Sequence, residues 1–186
     1  AIEPAGVLFG GVGSDAVADV IERDGTLIAV GHRSSGTDLE DAAIWSSVDG
    51  VVWSAVDREP LAEPGYKRIN SIAVAGDDLY AAGYSIDPGA EELDAAVWRS
   101  SDGRTWRRVE GAELSLAGDQ VARSIAVFDD VVVAAGFDDA SGVTEAAAWA
   151  RVGGAWVTTA VELPTGESEI WSLGDESREM LGVGEA

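Results

Sequence analysis

Residues able to do chemistry stand close together in the stretch WRSSDGRTW, residues 98–106. Two serines, an aspartate and two arginines lie between two indole rings, an arrangement that could bind a polar ligand. Related stretches occur at residues 45–53 (WSSVDGVVW) and 149–156 (WARVGGAW). The tryptophans are kept in all three, whereas the third stretch has lost the serine and the aspartate. This pattern is typical of packing and turn residues, and it predicts no catalytic role for the stretch.

Carboxylates form a second group of candidates, in the loops HRSSGTDLED, YSIDPGAEELD and FDDASGVTEA that we expect to join second and third strands. One interpretation is that these loops are simply solvated. The other is an acidic rim that binds Ca²⁺ or a basic partner, because Ca²⁺ prefers oxygen ligands. Ca²⁺ is the one cofactor this pattern suggests, and no EF-hand spacing or Cys/His metal cluster is present. The candidate binding residues are Asp38, Glu40, Asp41, Asp87, Glu91, Glu92, Asp94, Asp138 and Asp139.

His32 is the only histidine and therefore the only imidazole base for a catalytic triad. It follows Gly31, at the position where two related segments of the chain have Tyr84 and Phe137. Because that position takes flat rings, we expect His32 to serve in packing.

An internal repeat positions all these residues. The segment SIAVAGDDLYAAG aligns with SIAVFDDVVVAAG, with DVIERDGTLIAVG and, more weakly, with SLGDESREMLGVG. Their closing glycines stand at positions 31, 83, 136 and 184, which are 52, 53 and 48 residues apart. Six of the seven tryptophans fall at two equivalent positions of the first three repeats. Repeats of this period are typical of solenoids and propellers.

Each repeat predicts four short strands, which in the second repeat are INSIAVA, LYAAGYS, AAVWRSS and TWRRVEG. The strands are rich in Ala and Val on both alternating faces, as in sheets that are covered on both sides. Stacked four-stranded antiparallel units favour an all-β fold, a β-propeller segment of about three and a half blades. The first strand of each blade would be innermost, and the tryptophans would lie on the two outer strands. A β-sandwich is the alternative.

The repeat divides the chain into an N-terminal strand or entry segment (1–14), three blades (15–66, 67–119 and 120–167) and a partial fourth blade (168–186). Such an arc is an incomplete ring and would expose apolar sheet faces. We therefore expect further blades of a larger parent protein, or copies of this chain, to complete it.

Charge and composition limit the partners. Lys and Arg number 12 against 34 Asp and Glu, which gives a formal net charge of −22. This field repels nucleic acid. No apolar run is long enough for a membrane span, so we expect no membrane insertion. The absence of cysteine excludes disulfides and thiolate chemistry.

The run S-x-D-G-x-x-W resembles the Asp-box, or BNR, repeat, although the copies here are one residue shorter between Asp and Trp. The resemblance implies a propeller of the sialidase and sortilin type, in which the box holds a turn. The residues that match the box are Ser47, Asp49, Gly50, Trp53, Ser100, Asp102, Gly103 and Trp106.

The same resemblance implies what an enzyme would need: three arginines for a substrate carboxylate, a tyrosine–carboxylate pair and an acid. Arg68 and Arg123 lie near the start of two inner strands but at different repeat positions, and a full triad cannot be assembled. Our first hypothesis is a non-catalytic binding or scaffold module, located outside the cytoplasm, that engages a protein or glycan partner. The alternative is a fragment of a glycan-active, sialidase-like hydrolase.

Overall fold

The computed structural model describes residues 15–34, 40–56, 61, 65–111, 114–159, 168–176 and 179–183. They form three four-stranded antiparallel sheets and one two-stranded sheet, which confirms an all-β fold built as a partial β-propeller. Within the described residues, the fourth repeat contributes two strands. The segment 1–14 lies outside the described residues. No helix in the described part of the chain is long and apolar enough to cross a membrane.

Each sheet is one blade, and its strands follow one another in chain order. Blade 1 contains β1 (Asp15–Arg23), β2 (Thr26–Ser34), β3 (Glu40–Ser47) and β4 (Ser54–Ala55). Blade 2 contains β5 (Tyr66–Ala75), β6 (Asp78–Ile86), β7 (Asp94–Ser100) and β8 (Arg107–Arg108). Blade 3 contains β9 (Gln120–Phe128), β10 (Val131–Asp138), β11 (Glu145–Val152) and β12 (Ala155–Thr159). Blade 4 contains β13 (Ser172–Glu176) and β14 (Glu179–Val183).

The first strand of each blade is innermost, as the repeat predicts. β5 contacts β1 on one side and β9 on the other, and β9 contacts β13. Polar bonds tie these strands across the blade boundaries: the Asp19 carboxylate accepts hydrogen bonds from the Ser71 hydroxyl and the Ile72 N–H, both at 3.0 Å. The Ser124 hydroxyl accepts one from the Leu173 N–H at 3.0 Å.

A β-bulge interrupts the inner strand of each complete blade opposite the repeated glycine. The register skips one residue between Val17 and Asp19, and again in β5 and β9. At this place the backbones approach so closely that a Cβ on the glycine would lie 1.9 Å from a facing carbonyl oxygen. The glycines are Gly31, Gly83 and Gly136, and the facing carbonyls belong to Ala16, Arg68 and Val121. The repeat therefore keeps glycine because a side chain does not fit.

The blades pack through apolar faces that meet at each boundary. Trp98 and Trp106 are buried between blades 1 and 2, and Trp149 and Trp156 are buried between blades 2 and 3. Small alanines fill the rest of the inner faces, which lets the sheets approach. Trp53 is only half-buried. Burial of these rings is the main stabilising contribution, since each large aromatic side chain removes much apolar area from water.

Two turns with the Asp-box-like sequence connect the third and fourth strands of blades 1 and 2. The Asp102 carboxylate accepts hydrogen bonds from the N–H groups of Arg104 and Thr105, at 2.8 and 2.6 Å. The Ser100 hydroxyl accepts one from the Gly103 N–H at 2.9 Å. Asp49 and Ser47 bond in the same way, and both glycines have φ of 71°. Such bonds fix the loop.

The fourth strands are shorter than the sequence predicts in blades 1 and 2, where they have two residues each. The prediction that Trp53 and Trp106 lie on these strands is wrong. Both precede the strand because each indole N–H donates to the carbonyl of the turn glycine, at 3.2 Å. Blade 3 lacks the Ser and Asp, and its two-residue Gly153-Gly154 hairpin leads directly into β12, which contains Trp156.

We expect Gly83→Ala to lower the free energy of unfolding by at least about 3 kcal/mol, the range of severe steric and strain effects. Its Cβ would collide with the Arg68 carbonyl oxygen. The matched control is Gly76→Ala, in a turn where φ is +59° and no atom lies within 4 Å of the added Cβ. That variant should lose only about 1 kcal/mol, for the left-handed conformation. Equal losses in urea unfolding would refute the steric explanation.

We expect Asp102→Ala to cost about 1 kcal/mol of stability at neutral pH, because the N–H groups of Arg104 and Thr105 lose their acceptor, as backbone N–H groups do when an N-cap side chain is removed. The backbone N–H groups of Thr105 and Arg104 lower the pKa of Asp102 to about 2. Since this is below the unfolded value, the stabilisation is complete above about pH 4 and disappears as the pH falls through the folded pKa. The gap between wild type and variant, measured by thermal unfolding from pH 5 to 2, should therefore close on acidification. A gap that stayed constant from pH 5 to 2 would contradict the contribution of the carboxylate.

Candidate functional site

The inner strands of the four blades each place one residue at the same level along the propeller axis. In blades 1 to 3 it is the residue that the register skips, and in blade 4 it is the residue just before β13. We call these four residues the axial ring; they are Ala18, Asn70, Arg123 and Trp171. Bulges commonly re-aim a side chain next to a functional site. The Asn70 amide donates to the Ala122 carbonyl at 2.9 Å, across the boundary between blades 2 and 3.

Arg123 and Trp171 form a stack at this ring. The guanidinium of Arg123 lies 3.9 Å from the centre of the Trp171 ring and 5.1 Å from that of Phe137. Glu169 holds the same guanidinium through an ion pair of 3.0 Å. Half of the Trp171 side chain, 50%, is exposed. The contact with the Arg123 cation therefore orients the Trp171 indole, while much of the indole surface stays exposed to water.

A second cluster lies at the junction of blades 1 and 2 and is centred on Glu40. The Tyr66 hydroxyl donates to Glu40 Oε2 at 2.6 Å. Arg68 Nη1 lies 3.9 Å from the same oxygen, and His32 Nε2 lies 3.5 Å from Oε1. The Tyr66 ring stacks on Tyr84, with centroids 5.9 Å apart. We call these five residues the Glu40 cluster.

Burial and charge shift the ionisation of this cluster. Burial, with the hydrogen bond to Glu40 as the next cause, raises the pKa of Tyr66 above its ordinary value, so the phenol stays protonated. Burial also lowers the pKa of His32, and Arg68 adds to the effect. His32 is therefore neutral at physiological pH. The His32 side chain is buried, 6% exposed, which agrees with a role in packing. It also lies beside the Glu40 carboxylate.

Both clusters lie at one end of the propeller, which we call the axial face. Arg68 and Glu169 occupy the same repeat position, three residues before the serines Ser71 and Ser172 at which the aligned segments begin. The arginines of these two clusters are each paired with a glutamate, Arg68 with Glu40 and Arg123 with Glu169. The charge within the clusters is therefore balanced, although the acidic connections between second and third strands lie at the same end of the blades.

The predicted acidic loops are shorter than expected. Glu40 and Asp41 belong to β3 and pair in register with Ser34 and Arg33, so the prediction that they lie in a loop is wrong. Asp94 begins β7 and Asp138 ends β10. These strands extend further than the sequence predicts because backbone pairing continues beyond their apolar residues. Asp38 lies outside the described residues.

Several of the other candidates are engaged within the protein. Asp87 forms an ion pair with Arg108 at 3.6 Å, and Asp94 accepts a hydrogen bond from Ser115 at 2.8 Å. Asp138 and Asp139 accept hydrogen bonds from backbone N–H groups.

Glu91 and Glu92 are exposed. Among the residues that the structure describes, no three Asp, Glu or His side chains are grouped as metal ligands would be. Binding of Ca²⁺ or of a basic partner by this rim therefore stays a prediction.

The sequence reasoning missed Trp171 and the Tyr66–Glu40 pair. Trp171 precedes Ser172 as Arg123 precedes Ser124, so the repeat alignment carried the signal for the stack. The pair joins residues 26 positions apart on different blades, and no local pattern indicates it.

No family model and no curated protein matches the chain. Solved structures with a similar fold include a Trypanosoma rangeli sialidase in complex with sialic acid, with a TM-score of 0.61 and 14% identity over 91% of this chain and 33% of that one. A Bombyx mori GH32 β-fructofuranosidase in complex with sucrose has a TM-score of 0.58 and 13% identity over 87% of this chain and 40% of that one. An exo-inulinase from Aspergillus awamori has a TM-score of 0.51 and 13% identity over 80% and 37%. The chain thus has a sialidase/GH32-like propeller fold, and it spans about a third of the length of these proteins.

Proposed function

We propose that this chain is a non-catalytic, saccharide-binding part of a propeller, and that it binds a neutral saccharide on its axial face. The observation that carries the proposal is the half-exposed Trp171 ring held against Arg123. The apolar face of a sugar ring packs on an indole, while its hydroxyls bond to nearby polar groups. Aromatic rings suit this task because one body offers both apolar area and a fixed orientation.

The site is rigid before any ligand arrives. Glu169 and Phe137 hold Arg123, and Arg123 in turn fixes one side of Trp171. Preorganisation of this kind favours binding because little side-chain freedom is lost when the ligand docks. Asn70 adds an amide at the neighbouring position of the axial ring.

The paired charges of the two clusters support a neutral ligand. Arg68 and Arg123 are already paired with glutamates, so a carboxylate or sulfate group would have to displace an existing ion pair. The net charge of −22 further disfavours an acidic glycan at long range. The fold supports a saccharide as the class of ligand, since the sialidase and the β-fructofuranosidase with similar structures are in complex with sialic acid and sucrose, of which only sucrose is neutral.

The partner in this proposal is a glycan, free or attached to a protein, and the location is outside the cytoplasm, where such glycans are abundant. Because the chain spans about a third of the similar structures, further blades or copies of this chain would complete the ligand's surroundings.

We expect Trp171→Ala to weaken saccharide binding at least tenfold, since the stacking surface is lost. The measurement is a screen of neutral oligosaccharides by glycan array, followed by isothermal titration with the best binder. Val51→Ala is the control, because Val51 is 82% exposed in a turn at the other end of the molecule. Equal affinity of Trp171→Ala and wild type, with both melting temperatures unchanged, would overturn the proposal, as would the absence of any binder.

A second candidate function is glycoside hydrolysis with Tyr66 as nucleophile, favoured by the 2.6 Å hydrogen bond from its hydroxyl to Glu40. Glu40 would accept the phenol proton as the phenol oxygen bonds to the anomeric carbon and the glycosidic C–O bond breaks, a use of tyrosine that sialidases make. The leaving oxygen would take a proton from solvent water, and a second water would then hydrolyse the glycosyl–tyrosine bond and restore the phenol. Against it, the raised pKa of Tyr66 keeps the phenol protonated, and Glu40 is already shared with Arg68 and His32.

Fluorogenic sialosides and fructofuranosides separate the two functions. A binding module should show no hydrolysis above the uncatalysed rate. A hydrolase should lose activity in Tyr66→Phe and keep most of it in Tyr80→Phe, which removes a hydroxyl from a ring near the opposite end of β6. Turnover with that pattern would replace the binding proposal by the enzyme.

A further inference from the structure

The arginines of this acidic chain are unevenly distributed. The chain has only 12 Lys and Arg residues, and four arginines line a single groove of about 610 Å³ between blades 2 and 3. We call it the arginine groove; its basic residues are Arg99, Arg107, Arg108 and Arg151.

The groove lies at the end of the molecule opposite the axial face. Arg99 and Arg151 stand near the ends of β7 and β11, the third strands of their blades. In a four-stranded antiparallel blade the third strand runs in the direction of the first, so its end lies away from the start of the first strand. One wall is the Asp102 turn of blade 2, and the other contains Gly154 of the blade 3 hairpin.

Two of the four guanidinium groups each form an ion pair with an aspartate, and the other two have no acidic partner among the described residues. Arg99 pairs with Asp78 at 2.6 Å and Arg108 with Asp87 at 3.6 Å. In the part of the chain that the structure describes, neither Arg107 nor Arg151 forms an ion pair. Arg107 is exposed and Arg151 is partly so.

A buried ring holds two of these side chains in place. The guanidinium groups of Arg151 and Arg99 lie 5.7 and 6.0 Å from the centre of the Tyr80 ring, which is 2% exposed. Cation–π contacts of this kind orient a guanidinium without neutralising it. The groove therefore keeps a local excess of positive charge: Arg108 is paired with Asp87, and the other three arginines stand against the carboxylates of Asp78 and Asp102.

We propose that the arginine groove binds a small ligand through an oxyanion group, a phosphate, sulfate or carboxylate. Guanidinium is planar and presents paired N–H donors that match two oxygens of such a group, and it stays charged at all physiological pH values. The walls supply further hydroxyl donors from Ser101 and Thr105. This site shares no residue with the axial face and does not rest on the saccharide proposal.

The charge of the whole chain selects a small ligand over a polyanionic chain. At physiological salt a charge is felt over about 8–10 Å, so a single oxyanion inside the groove interacts mainly with the arginines. A long polyanion would extend beyond them onto a surface with a net charge of −22 and be repelled there.

Isothermal titration at constant ionic strength tests this inference, with inorganic phosphate, inorganic sulfate and glucuronate as separate probes. We expect saturable binding of at least one probe, with a dissociation constant on the order of 1 mM, the range of a weak single-group contact. The double variant Arg107→Gln/Arg151→Gln should bind at least tenfold more weakly. Arg23→Gln, which removes one positive charge from blade 1, should bind as wild type does.

The probes distinguish the sources of the oxyanion, and the variants distinguish a site from a general salt effect. Phosphate and sulfate stabilise most proteins without binding, so a rise in melting temperature alone does not count. Absence of saturable heat with all three probes, or equal affinity of the double variant and wild type, would overturn the proposal. Tighter binding per sulfate group by heparin than by inorganic sulfate would overturn its restriction to small ligands.

Discussion

The close backbone contact between the second-strand glycine and the bulged inner strand is the constraint on which the rest of the structure depends. At Gly31, Gly83 and Gly136 there is no room for a side chain. The bulge that brings the backbones together also releases one residue from the ladder. In blades 2 and 3 that residue is Asn70 or Arg123, the side chains that the axial ring presents. A requirement of packing thus creates the positions available for recognition.

Charge is arranged differently at the two ends of the molecule. On the axial face Arg68 and Arg123 are each paired with a glutamate, so neither arginine is left with an unbalanced charge. In the arginine groove, Arg107 and Arg151 keep unbalanced charge. The formal charge of −22 describes neither place, because short-range pairing and screening decide what a ligand meets locally.

The sequence predicts the architecture well because the repeat imposes it three times over. Runs of apolar residues and the Asp24-Gly25 turn locate strands and hairpins, and the Trp positions locate the blade boundaries. The bulges could not be predicted, because INSIAVA reads as an uninterrupted strand. The Tyr66–Glu40 bond and the arginine groove were also missed, since each is formed by side chains from two blades whose relative placement no local pattern specifies. The short fourth strands were missed because the hydrogen bonds of Asp49 and Asp102 bend segments whose composition favours an extended chain.

At the axial ring, the residues that the fold requires are different from the residues that a ligand would contact. Neighbouring repeats keep glycine opposite the bulge, yet the released position holds alanine, asparagine and arginine in three successive blades, and the equivalent position in the fourth holds tryptophan. Four residues of such different size and polarity are accepted there because none of them takes part in the ladder. Single substitutions at this position, one per repeat, can therefore change the binding surface while the scaffold stays the same.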